Sequence, residues 1–142
     1  LFVAGFVGSP QMNFLDATVR RTERDIAVVL ENAATHHEVV IPLAGDAFGA
    51  ADVRDGQPVV LGIRPETFRP YSAEAGGHSI SATAALIEFT GADTLVSFDL
   101  AGQEVTARLA ADIKPKLGDR LDVTVDAGRL HVFDQSTEVR LN

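Results

Sequence analysis

Cysteine is absent from the 142 residues, and so is tryptophan. The first absence excludes disulfides, thiolate nucleophiles, and zinc or iron–sulfur sites held by cysteine. It fits a reducing cytosol. Lysine is nearly absent as well, with Lys114 and Lys116 the only two. A phosphate-cradling loop needs glycines for backbone approach and a lysine for the phosphates, in the pattern G-x-x-x-x-G-K-[ST]. "GAADVRDG" and "AGGHS" have the glycines without the lysine, so the chain holds no complete nucleotide-hydrolysing site. Positive charge is scarce overall: 12 Lys and Arg stand against 20 Asp and Glu, a net charge of −8. Nucleic-acid binding draws most of its affinity from cations on phosphates, so this balance argues against a nucleic-acid partner. No G-x-S-x-G elbow accompanies the serines, and no H-x-H or H-x-x-x-H spacing links His36, His37, His78 and His131. The chain reads as a binding or regulatory unit without catalysis of its own. Catalytic, cofactor-binding and metal-binding residues are all expected to be none.

Hydrophobic residues at 46% and charged residues at 23% make an ordinary globular balance. A chain of this length buries enough surface to fold as one domain, or as two small barrels sharing a core, with no staple. Phe2, Val3, Phe6 and Val7 suit one face of a short helix, which Gly8 would cap and Pro10 would stop. The apolar run there is too short to span a bilayer. After it the period changes to two. Strands are predicted at 14–21, 25–30 and 38–43, with a turn at 32–35 between the last two. "AGDAFGAADVRDGQP" is a loop or short helix, and "VVLGIRP" is a strand buried on both sides. Residues 69–79 are irregular. Further strands are predicted at 81–89, 95–100, 104–109, 121–125 and 130–133, joined by polar turns. Short, regularly spaced strands of this kind predict a mostly β fold, a small barrel or sandwich.

Several groups are candidates for function. Arg20, Arg21 and Arg24 form a basic cluster, diluted by Glu23 and Asp25, which reads as a solvated turn. Asp122 and Asp126 read as an exposed strand face rather than a carboxylate pair flanking a cleft. Phe89, Phe98 and Phe133 lie among aliphatic residues and are expected in the core rather than on a base-stacking surface. "LGIRPE" is the most unusual string. In an extended segment Arg64 and Glu66 face the same side, and Pro65 marks a strand end or edge. A surface ion pair and an interdomain or intersubunit contact both fit this pattern.

Three strings, in order along the chain, carry a resemblance: "FVAGFVGSPQMNFL" (Phe2 to Leu15), "LGIRPE" (Leu61 to Glu66) and "LHVFDQST" (Leu130 to Thr137). With "TGADTLVSFDLAGQEVTARL", they resemble the C-terminal regulatory part of the ATP-binding subunit of carbohydrate-importing ABC transporters of the maltose-importer type. The chain departs from the family at Thr67, where His is frequent, and at Glu138, where Gly is common. The resemblance implies an oligonucleotide-binding-like (OB-fold-like) β barrel arrangement of TOBE type. Residues 1–10 would be the tail of the ATPase domain's last helix and a linker, and residues 11–142 the regulatory β domain. It implies a regulatory and dimerisation role, with ATP and Mg bound only by the longer parent. The implied partners are the chain's own ATPase domain, a second copy of the same subunit, and transmembrane permease subunits. The implied location is cytoplasmic, peripheral to the inner face of the cell membrane. The residues expected at a domain or subunit contact are Arg64, Pro65 and Glu66. The alternative is a stand-alone barrel that senses a small molecule or oxyanion.

Overall fold

Eleven strands in three antiparallel sheets carry the described residues of the computed structural model, which are 11–49, 51–74 and 78–142. The helix expected over residues 1–8, and the linker to residue 10, lie outside the described residues. Within them the only helical pieces are two short 3-10 turns, so the fold is mostly β as expected.

The first sheet has the order β11-β4-β1-β2-β3. It is built from β1 (Asn13–Arg21), β2 (Ile26–Glu31), β3 (Glu38–Leu43), β4 (Pro58–Ile63) and β11 (His131–Asp134). In β1 the pattern alternates strictly: Leu15, Ala17 and Val19 are buried while Phe14, Asp16 and Thr18 face outward. One face of this strand meets the core and the other does not. β4 is buried from Val59 through Ile63, as its unbroken apolar run predicts, because the Met12, His131 and Phe133 side chains cover its outer face at Gly62. The β2–β3 turn is closed by Asn32, whose Oδ1 accepts from the N–H groups of Ala34 and Thr35. His36 takes the left-handed conformation there, with φ of 59°. The Gly- and Asp-rich segment before β4 forms loops, anchored by the buried Phe48 and Val53.

The second sheet has the order β5-β10-β6 and the third β7-β8-β9. They comprise β5 (Phe68–Pro70), β6 (Ile80–Thr83), β7 (Leu86–Phe89), β8 (Asp93–Leu100), β9 (Gln103–Ala110) and β10 (Arg120–Val125). Two expectations need correction here. The single strand predicted over 81–89 is two strands, because the chain changes partners at Ala84 and Ala85. Ala84 N–H donates to Asp119 C=O in the second sheet, and Ala85 N–H donates to Ser97 C=O in the third. The irregular segment predicted from residue 69 begins instead with β5, which pairs with β10 through Phe68–Val125 and Arg69–Thr124.

The aromatic expectation holds for Phe98 and Phe133 and fails for Phe89. Phe98 is buried and meets Phe68 edge to face, with centroids 5.6 Å apart at 82°. Phe89 lies on β7, an edge strand four residues long, and is 57% exposed. Asp126 also differs: it follows β10 rather than lying on its face, and its carboxylate accepts from Gly128 N–H at the start of a 3-10 turn.

One continuous apolar cluster joins the sheets, with Leu15, Val28 and Leu61 of the first packed with Ile80, Phe98, Val105 and Val123 of the others. The last strand, β11, returns to pair with β4 and completes the first sheet. The two halves of the chain therefore share one core.

Candidate functional site

Strand β4 stops at Ile63 because Pro65 has no N–H to continue a ladder. Arg64 is still extended (φ −70°, ψ 140°), and Pro65–Thr67 then make a 3-10 turn closed by Thr67 N–H to Arg64 C=O at 2.9 Å. The expectation that Arg64 and Glu66 share one face of an extended segment is thus corrected: they stand either side of Pro65 on a turn. Pro65, Thr67 and Phe68 point inward and are buried, and the corner packs against β9. Arg64 and Glu66 point outward, and neither enters an ion pair among the described residues. Of the two readings that fit the pattern, the surface ion pair between them does not form. The corner presents two charges on a seat whose intervening residues are fixed by burial.

Arg64 borders a face of the first sheet that sequence reasoning missed. Register places Phe14 opposite Gly62, and Gly62 opposite His131. His131 stacks on Phe133 at 6.4 Å and 10°, and Phe133 meets Phe14 at 6.3 Å. Gly62 is the low point that lets these rings close over the strand. A Cβ there would lie 2.7 Å from Met12 Sδ and 3.3 Å from His131 Cβ. Arg140 bridges to Phe133 from the far side of β11. The His131 pKa is held below its usual range, first by burial, then by the Arg140 and Arg64 guanidiniums. The β11–β4 register brings Arg64 to His131 and the Phe133–Arg140 bridge brings Arg140, and neither spacing nor motif in the chain signals it.

The closing turn after β11 is built on Asp134. Its Oδ1 accepts from Ser136 N–H, Ser136 O–H and Thr137 N–H at 2.7–2.9 Å, and its Oδ2 accepts from Gln57 Nε2. These bonds, led by that of the Thr137 backbone, hold its carboxyl far below the usual range. Glu138, where the resembled family commonly has Gly, sits at φ of 62°. That is the left-handed region glycine enters without steric cost.

The basic cluster is exposed, as read, but only Arg24 lies in the turn, because Arg20 and Arg21 end β1. Arg20 pairs with Glu38 at 2.8 Å, and Arg21 Nη1 donates to Val53 C=O at 2.8 Å. His36 contacts Glu31 at 2.9 Å on the surface. Among the described residues no group of three His, Asp or Glu could hold a metal, and no helix is long and apolar enough to cross a membrane.

Two clefts adjoin β6. One, of about 340 Å³, is lined by Arg69, His78 and Asp126 over apolar Ile41, Ile80 and Val125. The other, of about 730 Å³, opens between β3, β6 and the β8–β9 turn.

Comparison with known proteins places this architecture. Residues 8–68 match the MalK OB fold domain, and residues 61–133 match the TOBE domain. The sulfoquinovosyl glycerol transport ATP-binding protein SmoE of Agrobacterium fabrum is 33% identical over 97% of this chain and 36% of its own length. The sn-glycerol-3-phosphate import ATP-binding protein UgpC of Chromobacterium violaceum is 39% identical over 99% of this chain and 34% of its own. The chain therefore spans about a third of the length of the curated relatives it matches. Among solved structures, the molybdate-binding protein ModG shares the fold, with a TM-score of 0.60 at 14% identity over 84% of this chain and 94% of that one. The chain belongs to the TOBE domain family, joined to a MalK OB fold domain, and its homologues are the ATP-binding proteins of ABC transporters.

Proposed function

We propose that this chain is the regulatory and dimerisation part of the ATP-hydrolysing subunit of a sugar or sugar-related ABC importer. The observation that carries the reading is the match of transport ATP-binding proteins across nearly the whole chain, which spans only about a third of theirs. In this reading ATP and Mg are bound upstream, by the chain's own ATPase domain. This part pairs with a second copy and steadies the dimer as the nucleotide domains open and close. Permease subunits are partners of the whole assembly, which places the chain in the cytoplasm against the inner face of the membrane. The Arg64–Pro65–Glu66 corner is the contact. Unpaired charges on a fixed backbone seat suit recognition, since their charge-assisted hydrogen bonds are left for a partner.

The test is charge reversal, Arg64→Glu, in the full-length subunit assembled with its permease. Substrate-stimulated ATP hydrolysis is expected to fall by about tenfold, the loss of one charge-assisted contact. Basal hydrolysis should persist. Unchanged stimulation together with an unchanged dimer would overturn the assignment of the corner.

A second reading is the oxyanion-sensing barrel, favoured by one observation: Arg69 lines the smaller cleft and forms no ion pair among the described residues. Molybdate, sulfate or phosphate should then raise the melting temperature through selective binding to the folded state. Arg69→Gln should abolish the effect. No rise with any of the three would remove this reading.

A further inference from the structure

The larger cleft lies where all three sheets meet. β3 ends the first sheet and β6 ends the second, and both border it. In an antiparallel ladder alternate residues turn their N–H and C=O away from the partner. The Asn32 N–H to His37 C=O bond sets the phase on β3, so that Val39 and Ile41 turn to β2 while Glu38 and Val40 turn outward. The Ala84 N–H to Asp119 C=O bond sets it on β6, where Ser81 turns away from β10. Pro42 leaves β3 too short an open edge to template an added strand.

The side chains add hydrogen-bonding capacity without positive charge. Eight polar residues line the cleft, among them His37, Glu38, His78, Ser79, Ser81 and Asp99. Ser79 and Ser81 make no side-chain hydrogen bond among the described residues. Glu38 gives Oε2 to Arg20 and keeps Oε1 open, and Asp99 gives Oδ2 to Gly102 N–H and keeps Oδ1 open. Ile80 and Leu100, both buried, form an apolar floor with Val40. No Lys or Arg lines it; Glu38 is neutralised by Arg20 behind it, and Asp99 is the lining carboxylate that no cation pairs among the described residues.

We infer that this cleft is a binding site for a neutral polyhydroxylated molecule of saccharide or polyol type. Open carboxylate oxygens accept from hydroxyls, the serines both donate and accept, and the apolar floor takes the C–H face of the ligand. The unpaired Asp99 carboxylate repels phosphate, sulfonate and carboxylate groups. The volume falls within the range of about 300–1,000 Å³ usual for small-molecule sites. The inference is independent of the transporter reading, since it concerns binding by this chain alone.

The experiment is a titration of the isotope-labelled 142-residue chain with maltose, glycerol and inorganic phosphate in turn, followed by amide NMR. Maltose or glycerol is expected to give saturable shifts at millimolar concentration, confined to residues 37–40, 79–81 and 99–102. The double variant S79A/S81A keeps its spectral dispersion, because both serines are exposed. It should lose about tenfold in affinity, the scale of one or two hydrogen bonds. The proposal is overturned if neither neutral probe saturates, if phosphate shifts the same amides as strongly, or if the double variant binds undiminished.

Discussion

The side-chain amide of Asn13 holds the backbone of Thr106 as a neighbouring strand would. Its Oδ1 accepts from Thr106 N–H at 2.9 Å, and its Nδ2 donates to Thr106 C=O at 3.0 Å and to Ile63 C=O at 3.0 Å. Gln103 repeats the device in the opposite sense, accepting from Asp16 N–H at 2.9 Å and donating to Asp16 C=O at 3.1 Å. Two amides thus tie β1, in the first half of the chain, to β9 in the second. Asn13→Ala is expected to cost about 1–3 kcal/mol, because partly buried backbone groups lose their partners. Gln103→Ala, at a more exposed contact, should cost about 0.5–1.5 kcal/mol. Urea unfolding followed by circular dichroism measures both. A single transition should persist in each variant, and separate transitions for the two halves would contradict the shared core.

Gly62 is required by close approach rather than by its backbone angle. Gly62→Ala should cost about 1–3 kcal/mol, the usual scale of overpacking. Met12→Ala should recover part of that loss in the double variant, since Met12 Sδ is the nearest atom. The non-additivity in a double-mutant cycle is the readout. Strict additivity would show that the rigid His131 side carries the whole cost.

Asp134 should shape the acid limb of stability. Its carboxyl is depressed in the fold relative to an ordinary value of 3.8. Its contribution is therefore complete above that pH and is lost as pH falls through the folded-state value. Asp134→Asn should lower stability at neutral pH and make the acid limb shallower. Thermal melts at stepped pH measure this, and an unchanged acid limb would refute the assignment.

His131 carries the opposite charge type with the same direction of shift. Its pKa is depressed from 6.5, so the folded state holds fewer protons than the unfolded chain just below that pH. This group's stabilisation is complete above 6.5 and falls as the pH drops through the window beneath. Arg140→Gln should raise the pKa only part of the way back, because burial is the larger cause. An NMR titration of the ring protons reads the value directly. No rise would show that Arg140 exerts no field at the ring.

The sequence by itself determined the strand content and most strand positions. Alternation survives in β1, β8 and β9 because each shows one face to the core and one outward, which forces period two on its residues. The apolar run of β4 declared itself because both of its faces are covered, the core on one and the Met12, His131 and Phe133 side chains on the other. The resemblance carried by three strings was enough to name the fold, and the family matches bear it out. Pro65 announced the end of β4, since a missing N–H is a local property.

Only the tertiary structure decided which groups meet. β6 and β7 read as one strand because nothing local marks an exchange of partners at Ala84 and Ala85. Phe89 reads as core because its neighbours are apolar, yet β7 is an edge and no strand covers it. Arg64 and His131 are joined by the pairing of β11 with β4, Arg140 by its bridge to Phe133, and the larger cleft by the meeting of three sheets. Local sequence fixes the period and the breaks of each strand. Long-range pairing fixes register and edges, and a site assembled from register leaves no mark within any one segment.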